Sequence, residues 1–328
     1  MITLGIESTA HTMGVGITDS ENGCRVLANV IDMYRPPQGG LHPREAANHH
    51  AENVSSDILK ALEEAGLGIR DIDLVSFSMG PGLGPCLKTS ATAARALSHR
   101  LNIPIMGVNH CVAHIEIGRA TQGCEDPALL YASGGNTQII AFADRRYRIF
   151  GETEDVGIGN MFDKLGRELG LGYYAGPAIE KLAKDGDRLL DIPYSVKGMD
   201  VSFSGIMTAA LAHYKKGERL EDIAMSVQET AFAMLVEVTE RAMAHTGKNE
   251  VLLGGGVSQN TRLREMTKAM AEARGAEMFV PERKLCVDNG AMIAWLGTLM
   301  YESGVRTDIA STAVRQRFRT DEAEVTWR

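Results

Sequence analysis

Asn109-His110-Cys111-Val112-Ala113-His114 places two imidazoles four residues apart. On a helix that spacing puts both rings on one face about a turn apart, near enough to share one ion. The hydrolytic zinc motif needs Glu directly after the first His as general base, and Cys111 stands there instead, which disfavours a zincin-type peptidase. Asp288, in Val287-Asp288-Asn289-Gly290 ahead of the helical run Ala291 to Tyr301, is a third donor candidate, with a plain helix cap as its alternative role. Tyr131, at the mouth of a polar turn, offers a phenolate oxygen. Two nitrogens and two anionic oxygens suit iron or zinc better than calcium or magnesium. One metal ion, iron or zinc, held by His110 and His114 is therefore one reading of these residues. Taken alone, the paired histidines also fit ordinary, partly buried side chains.

A second chemistry resides in glycine turns. Ser133-Gly134-Gly135 and Leu253-Gly254-Gly255-Gly256 each follow a strand-like run, and the latter leads into a helix near Ser258 or Asn260. Free backbone N–H groups in such turns suit an anion or a nucleotide. Neither is a Walker loop, neither fits G-x-G-x-x-G, and a turn without a ligand explains each as well. Asp200-Val-Ser-Phe-Ser-Gly205 reads either as a polar cleft loop or as the start of a helix with serine caps.

The elements that must position these groups alternate between strand and helix. Ile2 to Ile6, the turn 7–12 and Met13 to Thr18 form a hairpin, and residues 128–143 repeat the plan around the turn 133–137, so the chain reads as internally duplicated. Between the hairpins lie an amphipathic helix Arg44 to Ala65, a buried strand Ile72 to Ser78 and a helix Lys88 to Leu101. Helices near 160–170, 177–185, 205–215, 221–246, 258–274 and 288–302 and a strand Glu250 to Leu253 follow. This alternation favours an α/β fold with a largely parallel sheet. The expected lobes are 1–127 and 128–328, the second with helical insertions, packed around a cleft.

Composition bounds the classes. The chain has 328 residues, 44% hydrophobic and 23% charged, with no apolar run approaching a membrane span, and Met1 runs straight into a strand without a signal-like segment. A soluble, cytoplasmic protein is expected. Five cysteines without a C-x-x-C pair indicate neither a disulfide framework nor a thiolate zinc site. A net charge of −8 argues against broad, unaided nucleic-acid binding, leaving local patches such as Arg145, Arg146 and Arg148, Lys215 and Lys216, or Arg315, Arg317 and Arg319.

The joint order of several motifs resembles the tRNA N6-adenosine threonylcarbamoyltransferases, in particular the archaeal and eukaryotic branch that works in the KEOPS complex. The likeness rests on Gly5-Ile-Glu-Ser-Thr-Ala-His-Thr12, Met79-Gly-Pro-Gly-Leu-Gly-Pro85, Asn109 to Glu116 and Tyr131-Ala-Ser-Gly-Gly-Asn-Thr137. It continues through Asp163 to Arg167, Gly176 to Glu180, Asp200 to Gly205, Gly255 to Asn260 and Asp288 to Ala291. The resemblance implies the actin-like ATPase (ASKHA) fold, two duplicated lobes with a nucleotide between them. It further implies that His110, His114, Tyr131 and Asp288 hold the metal, iron first and zinc second, with His110, His114 and Asp288 acting in catalysis through it. Tyr131, Ala132, Ser133, Gly134, Gly135, Asp163, Gly176, Glu180 and Asn260 would line the pocket for an adenine nucleotide or threonylcarbamoyl-AMP. Implied partners are tRNA, a small kinase-like ATPase, a small dimerising subunit and an accessory subunit. Two departures from the pattern stand out: Ser8 stands where many relatives have Gly, and Ser258-Gln259 is more polar than usual. A small-molecule kinase on the same fold and a non-catalytic scaffold are the competing readings.

Overall fold

The computed structural model describes residues 1–36, 40–172 and 174–328. The chain divides into two compact units, the first of Met1–Gly123, Asp144–Tyr147 and Pro281–Arg328, the second of Cys124–Ala143 and Arg148–Val280. Residues 281–328, which the sequence reading assigns to the second lobe, thus belong with the first. Glycines explain why.

In the first unit, β1 (Ile2–Glu7), β2 (Thr12–Asp19), β3 (Arg25–Met33), β4 (Leu74–Gly80) and β5 (Ile105–Asn109) form one sheet in the order β3-β2-β1-β4-β5. β1 pairs antiparallel with β2 and parallel with β4, and β4 is parallel to β5. The hairpin is as expected. The buried strand starts two residues later than read, and β3 and β5 had no counterpart in the sequence reading. Helix α1 (Pro43–Ala65) and helix α2 (Gly84–Leu101) pack on each other and on the sheet. Helix α2 begins four residues before the expected start because Gly84-Pro85 sits in its first turn, where proline's missing N–H costs nothing. Helix α3 (His110–Gln122) follows β5 without a loop.

The second unit repeats the plan. Its sheet runs β12-β11-β6-β7-β8, with β6 (Ala128–Ala132), β7 (Thr137–Ala143), β8 (Arg146–Glu152), β11 (Glu250–Gly254) and β12 (Glu277–Phe279). β6 is antiparallel to β7 and parallel to β11, which is parallel to β12. Between β8 and β11 come α4 (Ile158–Glu168), α5 (Gly176–Ala183), the short ladder β9 and β10 (Val196–Lys197 and Asp200–Val201), α6 (Ser204–Lys215) and α7 (Leu220–Thr246); α8 (Thr261–Ala273) follows β11. The core of this unit gathers on α7, where Phe232 meets Phe162 edge to face at 5.9 Å.

The chain then returns to the first unit as α9 (Arg283–Cys286) and α10 (Gly290–Glu302). A Cβ on Gly5 would collide with Ala294 N and Gly290 O, and one on Gly16 with Ala291 N. Only bare backbone lets α10 lie this close to β1 and β2, and that contact carries Asp288 and Asn289 to the β1–β2 turn.

Candidate metal centre and the glycine turn

The first unit builds a site at the end of β1. Asn109 ends β5 and caps α3, its Oδ1 accepting from the N–H groups of Cys111 and Val112, so the helix opens on His110. His110 and His114, both 2% exposed, lie one turn apart with ring centroids at 4.8 Å and planes at 84°. Opposite them, Asn289 caps α10 by accepting from Met292 N. The cap role left open for Asp288 is therefore taken by its neighbour. Asp288 Oδ1 lies 3.3 Å from His110 Nε2 and 3.2 Å from His114 Nε2. Among the described residues these three form a cluster whose ligand atoms all fall within 4.8 Å of one another.

Electrostatics prepare the cluster for a cation. Burial pushes the His114 imidazole below its usual value, against the pull of Asp288, which favours the neutral, ligating form. Burial alone would raise the Asp288 carboxyl, but the facing His110 and His114 hold it well below the carboxylate range and ionised. His110 Nδ1 lies 2.9 Å from Oε2 of Glu7, which is fully buried and whose Oε1 accepts from Thr9 N at 2.5 Å. A carboxylate behind a ligating histidine fixes ring orientation and raises basicity. Two imidazole nitrogens and one carboxylate, backed in this way, fit a transition metal such as iron or zinc.

Sequence reasoning gave Glu7 no role; its signal was a lone carboxylate closing a strand otherwise free of charge. Burial also lowers His11, which feels the charges of Asp288 and Glu7. Ser8, one of the two departures, is absorbed by the framework: its N–H donates to Ser78 Oγ and its hydroxyl to the Cys86 carbonyl.

The other site candidates lie in the second unit, including Tyr131, which is 1% exposed on β6. After Ala132 the turn Ser133–Asn136 closes through Ser133 N to Asn136 O at 2.8 Å. The Ser133 and Gly134 carbonyls accept from Gly159 N and Asn160 N at the start of α4, whereas the Gly134 and Gly135 N–H groups donate to no described residue. Gly255 holds φ at +89° with its Cα against the Ala132 carbonyl, so the two glycine turns adjoin. Ser258 Oγ donates back to Gly254 O. Asp163 Oδ1 accepts from Ala175 N, just before Gly176 opens α5, and burial raises its carboxyl above the usual range. Glu180 Oε1 accepts from Thr261 N. Asn260 caps α8 and donates through Nδ2 to Gln228 Oε1 at 3.0 Å. Glu180, Gln228 and Thr261, with Met225 and Arg262, line a cavity of about 440 Å³. Of residues 200–205, Asp200–Val201 form β10 and Ser204 opens α6, whose capping comes from Asp155, which accepts from Phe203 N and Ser204 N, rather than from the serines.

The profile of the TsaD family, tRNA N6-adenosine threonylcarbamoyltransferase, matches residues 25–295. The chain belongs to this family. It is 58% identical over 328 residues to the tRNA N6-adenosine threonylcarbamoyltransferase of Thermococcus kodakarensis, covering 100% of both chains. It is also 56% identical to a probable bifunctional tRNA threonylcarbamoyladenosine biosynthesis protein of Thermoplasma volcanium, of which it spans 62%. Among solved structures, Thermococcus kodakarensis HypF aligns with a TM-score of 0.66 at 16% identity over 92% of this chain and 48% of that one. A Clostridium difficile activator of 2-hydroxyisocaproyl-CoA dehydratase aligns with a TM-score of 0.55 at 12% identity, over 94% of this chain and 99% of that one. These two likenesses carry the fold alone, the actin-like ATPase fold expected from the sequence. No helix among the described residues is long and apolar enough to cross a membrane.

Proposed function

We propose that this TsaD-family chain transfers the threonylcarbamoyl group from threonylcarbamoyl-AMP to N6 of the adenosine 3′ to the anticodon, in tRNAs reading codons that begin with adenine. The observation that carries this reading is the convergence of His110 Nε2, His114 Nε2 and Asp288 Oδ1, in a chain 58% identical to a transferase so named. When bound by these residues, iron or zinc would supply Lewis-acid stabilisation of the charge developing on a substrate oxygen. Glu7 keeps the His110 ring in its ligating orientation, and Asn109 and Asn289 fix the helix ends that present the three donors.

The second unit would hold the nucleotide. The Gly134 and Gly135 N–H groups, directed at no described residue, receive the phosphate. Asp163 and Glu180 each spend one oxygen on a backbone amide, which aims the other at ribose hydroxyls. Both polar atoms of Asn260 are engaged, so its part is to fix the turn and Gln228. N6 attacks the carbamoyl carbon, the bond to the AMP oxygen breaks, and the N6 proton leaves with the departing phosphate.

With a net charge of −8 the chain needs help to hold tRNA. A KEOPS-type assembly with a dimerising subunit, a kinase-like ATPase and an accessory subunit would supply it in the cytoplasm. The test is mass spectrometry of tRNA nucleosides after incubation with the chain, threonine, bicarbonate, ATP and an adenylate-forming enzyme, with and without those partners. Modified adenosine in the complete mixture, absent with His110→Ala, is expected; full modification by the metal-free variant refutes the catalytic role of the metal.

A further inference from the structure

Residues 312–328 run mostly without regular structure across the first unit, yet they are tied down along their length. Arg95 Nε donates to Thr312 Oγ1 at 2.7 Å, Arg315 N to Met79 O at 2.8 Å and Gly82 N to Gln316 O at 3.2 Å. Asn109, the residue that caps α3, donates through Nδ2 to the Phe318 and Arg319 carbonyls at 3.0 and 3.3 Å. The last tie reaches the middle of the same helix. Glu116, 1% exposed, accepts from Trp327 Nε1 at 2.7 Å and Tyr147 OH at 2.5 Å through Oε1, and from Arg119 Nη1 at 2.7 Å through Oε2. Arg328 Nη1 in turn donates to Tyr147 OH at 3.3 Å.

Glu116 follows His114 by two residues, which at about 100° per residue sets it on the side of α3 away from both histidines. Helix α3 is therefore held from two sides, by Asp288 facing the imidazoles and by the 312–328 strap behind them. The rotation of α3 about its axis decides whether the two Nε2 atoms meet Asp288. With side chains reaching roughly 5–6 Å from the axis, a turn of about 10° displaces a ring nitrogen by about 1 Å. A metal site tolerates only about 0.5 Å.

We propose that Trp327 and Tyr147, acting through Glu116, are positioning residues that set the rotation of α3 and with it the metal affinity of His110 and His114. The proposal rests on the metal reading of the His110, His114 and Asp288 cluster.

Cobalt(II), with its visible d–d bands, serves as the probe on the full chain, with affinity read by chelator competition and folding by the melting temperature of the metal-free protein. Trp327→Phe keeps an aromatic ring but loses the N–H donor together with part of the indole. It should weaken cobalt about tenfold, the low end for outer-shell partners, and shift the d–d bands while melting within a few degrees of wild type. Tyr147→Phe removes one oxygen and should do the same. Wild-type affinity and bands in both variants overturn the proposal. If Trp327→Phe does not fold, Tyr147→Phe decides alone, an unchanged cobalt spectrum overturning the proposal. A wild-type chain that binds no cobalt removes the metal reading and this inference together, whereas binding that ignores both substitutions removes only the inference.

Discussion

The turn that joins β1 to β2 and the turn that joins β6 to β7 occupy the same place in two sheets of the same strand order, each joining an antiparallel pair, yet they carry opposite chemistry. In the first, backbone donors are consumed internally, Ser8 N by Ser78 and Thr9 N by Glu7, and the neighbourhood presents a carboxylate and imidazoles. In the second, the Gly134 and Gly135 N–H groups donate to no described residue. Each turn is braced by the loop after the fourth strand of its sheet: Leu83 N donates to Thr9 O, and Gly255 lies against the Ala132 carbonyl. On the proposed function, one duplicated scaffold thus offers side-chain donors suited to a cation in one turn and main-chain donors suited to an anion in the other. The fifth strand separates them further, since β5 runs directly into the histidine-bearing α3 while β12 leads only to Pro281 and back to the first unit.

If the two regions are chemically independent, substitutions should divide cleanly between them. The largest effect is expected from His114→Ala or Asp288→Asn, which should lower metal affinity by 100-fold or more and abolish transfer, with AMP binding by calorimetry unchanged. Joint loss of metal and AMP binding would break the comparison. Glu7→Gln should cost about 10- to 100-fold in metal affinity by loosening the His110 ring, measured by chelator competition. On the other side, Gly255→Ala forces a side chain into a left-handed backbone against the Ala132 carbonyl, at about 1–3 kcal/mol, and should weaken AMP while sparing the metal. Gly256→Ala, where a Cβ meets nothing, is its control and should leave both unchanged.

Much of this contrast was legible in the residues and some was not. The four-residue spacing of His110 and His114, the two hairpins and the glycine turns are local signals, and periodicity or turn chemistry exposes them. The convergence of Asp288 on those histidines depends on α10 lying against β1, a contact between segments nearly 300 residues apart that only the pairing of Gly5 and Gly16 with Gly290 to Ala294 permits. The same contact returns residues 281–328 to the first unit, which no composition shift announces. Strands β3 and β5 escaped because Arg25–Met33 mixes polar and apolar residues without a clean alternation and Ile105–Asn109 is only five residues long. Asn289 rather than Asp288 caps α10, and two adjacent residues of equal capping propensity cannot be told apart from sequence.

The smallest effect separates the regions by pH. His114 faces His110, Asp288 and Glu7, and burial sets its folded value below the usual 6.5. Between those two values the unfolded chain binds a proton that the folded chain refuses, so stability of the metal-free protein rises with pH across this window and is lost as pH falls through it. For one group the slope is at most about 1.4 kcal/mol per pH unit. Asp288, depressed below 3.8, is ionised throughout and adds nothing until stronger acid. The melting temperature of the metal-free chain should therefore fall from pH 7 to 5, and His114→Asn should flatten part of that fall. The phosphate contact, proposed for backbone amides that do not titrate, should hold until the nucleotide phosphate itself protonates near pH 6, and protonation of Asp163, raised by burial, should weaken AMP further in stronger acid. A pH-independent melting temperature above pH 5 would mean that the imidazole is not held neutral by its surroundings, and the preparation of the first turn for a cation would lose its electrostatic basis.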